Sequence, residues 1–96
     1  MPRAIVLNAA DNVATLIDAG GAAATCALQG EATHTLILAT DIPFGHKVCI
    51  RELASGADVL KYGQVIGRSS RVIRAGEHVH IHNVEAARGR GDQIGK

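Results

Sequence analysis

Between residues 42 and 79 the sequence repeats one pattern three times: an apolar residue, two residues, glycine, two residues, valine. The copies are Ile42–Gly45–Val48, Leu53–Gly56–Val59 and Ile73–Gly76–Val79. Glycine reaches backbone conformations that other residues avoid, so each copy predicts a tight turn that launches a short strand. Recurrent short strands with glycine at the corners predict a compact, folded-over all-β architecture, not a long open sheet. The first half of the chain agrees. Ala4–Leu7 and Val13–Ile17 read as strands, and Asp18-Ala19-Gly20-Gly21 reads as a hairpin turn leading into Ala23–Leu28. Gln29-Gly30-Glu31 turns again before a strand over His34–Ala39. No segment carries a helical period.

Ninety-six residues make one small domain with little surplus stability. Its apolar residues are mostly Ala, Ile, Val and Leu, with Phe44 and Tyr62 as the two aromatics. Such a thin core predicts that the chain gains stability by docking onto something larger. It also predicts Tyr62 as a packing residue, because large side chains are scarce. Cys26 and Cys49 stand in neither a C-x-x-C nor a zinc spacing and read as small buried apolar residues, compatible with a reducing compartment. No apolar run is long enough to span a bilayer, and the N-terminus lacks the pattern of a signal peptide. The expectation is a cytoplasmic chain without a membrane partner.

Charge is uneven. Residues 1–41 hold Arg3 against Asp11, Asp18, Glu31 and Asp41, whereas residues 42–96 hold nine basic side chains against five acidic ones. A moderately basic second half suits a small anionic ligand or an acidic protein face. It is too dilute and too poor in aromatics for a nucleic-acid platform.

The segment Gly76-Glu-His-Val-His-Ile-His-Asn83 carries three of the five histidines at a strict period of two. Read as a strand, it projects His78, His80 and His82 from one face and sends Val79 and Ile81 into the core. Imidazoles two residues apart lie roughly 7 Å apart at their Cα atoms, so neighbours can converge on a divalent metal or an anion. A solvent-facing strand that uses histidine as its polar residue is the plain alternative.

Five motifs occur in order: Asp11-Asn-Val-Ala-Thr15, Gly45-His-Lys-Val48, Lys61-Tyr-Gly-Gln-Val-Ile-Gly67, Gly76–Asn83 and Arg88-Gly-Arg-Gly-Asp92. Together they resemble the N-terminal domain, or separate small subunit, of the altronate and galactarate dehydratase family, which includes sulfolactate sulfo-lyase. The resemblance covers nearly the whole chain and implies a SAF-type β-clip fold over residues 1–85, with 86–96 as a flexible polar tail. The first histidine of the triplet varies in that family, so the resemblance carries over onto His80, His82 and Asn83.

The family implies a hydro-lyase reaction, in which a sugar acid loses its α-proton and a β-hydroxyl to give a 2-keto-3-deoxy acid. Removing a proton beside a carboxylate builds a dianionic enediolate, which needs a divalent metal or several cations. On this resemblance His80 and His82 are the expected ligands of a divalent metal, Fe2+ or Mn2+. His46, Lys47 and Asn83 are the expected substrate-binding residues. Ninety-six residues without an acidic cluster cannot supply a metal cage, a general base and an enclosing pocket. The chain is therefore expected to work as a small subunit, with a large dehydratase subunit as its partner and a sugar acid as its small anionic ligand, and to self-associate in isolation. Two other readings stay open: a lid that docks without chemistry, and an independent metal-binding protein built on the histidines.

Overall fold

The structure is a computed structural model and describes residues 1–86. Those residues form an all-β domain with nine strands and no helix. In chain order the strands are β1 (Arg3–Val6), β2 (Val13–Leu16), β3 (Thr25–Gly30), β4 (Thr35–Ile37), β5 (Lys47–Cys49), β6 (Asp58–Lys61), β7 (Gln64–Ser69), β8 (His78–Val79) and β9 (Val84–Ala86). Six of them form a curled sheet in the order β4-β3-β1-β2-β5-β8, and β6-β7-β9 form a smaller one. The curl brings one edge of the larger sheet towards the other, and Ala39 N–H donates to the Gly76 carbonyl at 2.8 Å. No helix here is long and apolar enough to cross a membrane. The expected tail lies, from residue 87 on, outside the described residues, while Ala86 itself belongs to β9 and pairs with Gly67.

All three glycine repeats form the same turn. Pro43–His46, Ala54–Ala57 and Arg74–Glu77 each close with a hydrogen bond from the fourth N–H to the first carbonyl, at 3.1, 3.0 and 3.0 Å. Gly45, Gly56 and Gly76 sit third, with φ of +83°, +84° and +94°, the conformation that a type II turn requires there. The N–H of each glycine donates to a neighbouring strand, at Leu16, Ser69 and Cys49 respectively. The flanking Ile42, Leu53 and Ile73 are buried, as are Val48, Val59 and Val79.

A fourth copy is hidden in the sequence. Gly21–Ala24 closes the same way at 3.1 Å, Ala23 holds φ +70° at the third position, and its N–H donates to Leu38. The expected hairpin at Asp18–Gly21 does not form, because this turn carries the chain across to lay β3 parallel to β1. Gly20 pairs instead with Ile42, exchanging two backbone hydrogen bonds of 2.9 and 2.8 Å, just as Leu53 pairs with Ile73.

Two cores result. Side chains alternate along a strand, so β2 and β5 serve both: Ala14, Leu16 and Val48 pack with Val6, Leu28 and Ile42, while Val13 and Cys49 pack with Leu53, Val59 and Ile73. Tyr62 is 61% exposed and Phe44 69% exposed, so both aromatics stand at turn tips and the packing role expected for Tyr62 is not realised. The reason is local: Tyr62 and Gly63 form the two-residue turn between β6 and β7 with φ of +57° and +71°, the type I′ geometry that matches strand twist.

Candidate functional site

Strand β8 is only two residues long and ends at Val79. Asn83 ends it. Its Oδ1 accepts the His80 N–H at 2.9 Å, its Nδ2 donates to the His78 carbonyl at 2.8 Å, and its own N–H donates to the His80 carbonyl at 3.1 Å. The segment expected as one long strand is thus a short strand and a turn, which sends the chain back into β9. Ile81 rides on the tip of that turn and is 85% exposed, not in the core. Asn83, expected to contact substrate, is fully buried at 0%, and both ends of its amide are engaged within the turn. The turn-forming habit of asparagine was the signal for this.

Four imidazoles gather where this turn meets the Gly45 turn. His46 Nδ1 lies 2.8 Å from His78 Nε2. His46 stacks on His80 with ring centres 4.5 Å apart and planes within 6°. His78 lies 5.3 Å from His80 and 5.4 Å from His82 between ring centres. Register explains the convergence: Val48 pairs with His78 across β5 and β8, so His46, two residues before Val48, shares the face of His78. His78, which the resemblance passes over, is the hub. Burial pushes its imidazole below the usual value, and neighbouring His46, His80 and His82 add to the effect.

Lys47 projects from the other face, opposite Thr15 and Val79. By strand alternation Lys47 and its neighbour His46 therefore point to opposite faces. Lys47 lines a cleft of about 230 Å³ with Ile66, Val79, His80, Ile81, Val84 and Ala86. Partial burial pushes its ammonium below the usual lysine value, and repulsion from Lys61 acts in the same direction. His80 joins the two regions: it stacks in the imidazole group and also borders the cleft.

The arrangement is poorly suited to a metal. Imidazole lone pairs lie in the ring plane, so the nearly parallel His46 and His80 rings cannot aim at a common ion. Of the expected ligand pair, His80 stacks on His46 and His78, whereas His82 meets His78 at a tilt of 43°. Among the described residues no set of three or more His, Cys, Asp or Glu side chains is placed to hold one. The arrangement suits an anion better, with an ammonium on an apolar floor and an exposed imidazole at the rim.

Sequence comparison places this geometry in a family. Residues 2–87 match the altronate/galactarate dehydratase SAF domain. Sulfolactate sulfo-lyase subunit alpha of Chromohalobacter salexigens is 55% identical over 47 residues, covering 49% of this chain and 50% of that protein. The subunit of the same name from Paracoccus pantotrophus is 44% identical over 48 residues, covering 50% of this chain and 72% of that one. Altronate dehydratase of Escherichia coli is 37% identical over 79 residues, which is 82% of this chain but 15% of that enzyme. The matched segment thus spans half of the first relative and a small part of the last. A match over residues 2–87, on an all-β fold with glycine-cornered turns, makes this chain a member of the altronate/galactarate dehydratase SAF domain family.

Proposed function

We propose that this chain is the small subunit of a lyase that eliminates water, or an equivalent leaving group, from a hydroxy acid of the altronate or galactarate type. The observation that carries the reading is the Lys47 ammonium set in an apolar cleft beside His80. A carboxylate entering that cleft offsets the cost of desolvating the ammonium and restores its preference for the charged form. His80 at the rim donates a hydrogen bond to the same acid group or to a neighbouring hydroxyl.

In the proposed reaction the α-proton leaves to a base, the β-hydroxyl leaves as water, and the enol collapses to a 2-keto-3-deoxy acid. Lys47 and His80 orient the acid group and stabilise the charge that builds on it as the α-proton departs. The general base belongs to the larger partner in this reading. So does the divalent ion, Fe2+ or Mn2+, since the imidazoles of this chain do not form a cage for it. Phe44 and Ile81, exposed on the two turns that carry the imidazole group, suit contact with that partner.

Purification through a tag on this chain tests the reading. A larger subunit should accompany it, and the complex should eliminate from an acid that the isolated chain leaves untouched even with Fe2+ or Mn2+ supplied. Turnover by the isolated chain contradicts the proposal.

A further inference from the structure

Two imidazole nitrogens 2.8 Å apart share one proton, one ring donating and the other accepting. The consequence for tautomers is strict when both rings are neutral. If His46 donates through Nδ1–H, His78 accepts at Nε2 and carries its own proton on Nδ1. If His78 donates through Nε2–H, His46 accepts at Nδ1 and carries its own proton on Nε2. Either way the two rings hold the same tautomer.

Both rings hang from fixed backbone. His46 follows the Gly45 corner, its N–H donating to Pro43 and its carbonyl accepting from Leu16 at 2.9 Å. His78 lies in β8, paired with Val48. The contact is therefore set by strand register, not by flexible stems. His80 lies flat against His46, at 4.5 Å and 6°, and borders the Lys47 cleft. Its backbone is pinned by Asn83, so its side chain is restrained by the rings it packs on, His46 most closely and His78 at 5.3 Å.

We propose that His46 and His78 are positioning residues: their shared proton locks a matched pair of tautomers, and the locked His46 ring holds His80 at the cleft rim. The proposal rests on reading the Lys47 cleft as the acid-binding site. An imidazole oriented in advance loses less freedom when it engages an anion, so the pair lowers the cost of binding without touching the ligand.

The experiment is nitrogen-15 NMR of the imidazoles in the full chain at neutral pH, repeated on His78→Phe and His78→Gln. The expected result is matched tautomers for His46 and His78, with a scalar coupling across the N–H···N bond. His78→Phe keeps a ring but no nitrogen, and should remove the coupling and move the His80 ring signals while distant backbone amides stay in place. In the assembled enzyme His78→Phe should raise KM about tenfold, the scale of one freed side chain, with kcat little changed. His78→Gln, which can bond to His46, should restore part of it. Unmatched tautomers without coupling overturn the proposal, as does a His80 ring indifferent to His78→Phe. Failure of the acid-site reading looks different: intact imidazole coupling, but an enzyme indifferent to loss of Lys47.

Discussion

The Asp11 carboxylate accepts the Gly63 N–H at 2.8 Å, tying the first loop of the chain to the tip of the β6–β7 hairpin. The other oxygen accepts the N–H groups of Tyr62 at 3.0 Å and Asn8 at 3.1 Å. Asn12 extends the joint, bonding Asp58 and Leu60. Two of the sequence motifs, Asp11–Thr15 and Lys61–Gly67, are thus halves of one structural clamp. Asp11→Ala strands three donors and should cost about 3 kcal/mol of stability, read as a lower denaturant midpoint with an unchanged slope.

The four type II turns make opposite predictions at equivalent positions. Ala23 has φ +70°, strained for a residue with a Cβ, so Ala23→Gly should stabilise by up to about 1 kcal/mol. Gly56→Ala meets open space and should cost only that conformational strain, about 1 kcal/mol. Gly76→Ala drives a Cβ into the Ile37 carbonyl where the sheet edges meet, and should cost at least about 3 kcal/mol. Thermal unfolding of the three variants checks the order.

His78 links the imidazole group to pH. Its folded-state value lies below the ordinary 6.5, so below that pH the unfolded chain binds the proton more readily than the folded one. This contribution to stability is therefore present above about pH 6.5 and is lost as pH falls through the folded value. The melting temperature should fall between pH 7 and pH 5 more steeply for the native chain than for His78→Phe. Equal slopes would remove His78 from the account.

Both thiols should resist modification in the folded chain. Cys26 and Cys49 are fully buried, and burial pushes Cys49 up to about 11, while its thiol donates to the Arg51 carbonyl at 2.9 Å. A thiol reagent at pH 8 should label neither until denaturant is added.

The Gly45, Gly56 and Gly76 corners were legible in the sequence because glycine marks positive φ directly. The Ala23 copy was not, since its conformation is held by neighbours: Asp41 accepts the Ala22 N–H at 2.8 Å and Leu38 accepts that of Ala23. The period of two in His78–His82 pointed to one long strand, but that alternation cannot outweigh an asparagine that closes a turn on His80 and binds the His78 carbonyl. The separation of His46 from Lys47 follows from alternation along a strand and was available in principle. The meeting of His46 with His78 required the β5–β8 register, a long-range pairing that no local pattern encodes.

The most direct test of the central claim is kcat/KM for acid elimination by the assembled enzyme, comparing the native chain with Lys47→Met and His80→Ala. If these groups hold the acid as its α-proton departs, each substitution should cost at least about a hundredfold, roughly 2.7 kcal/mol of transition-state stabilisation. Rates within about twofold of native for both variants, which is under 0.5 kcal/mol, would contradict the account and leave the cleft as scaffold.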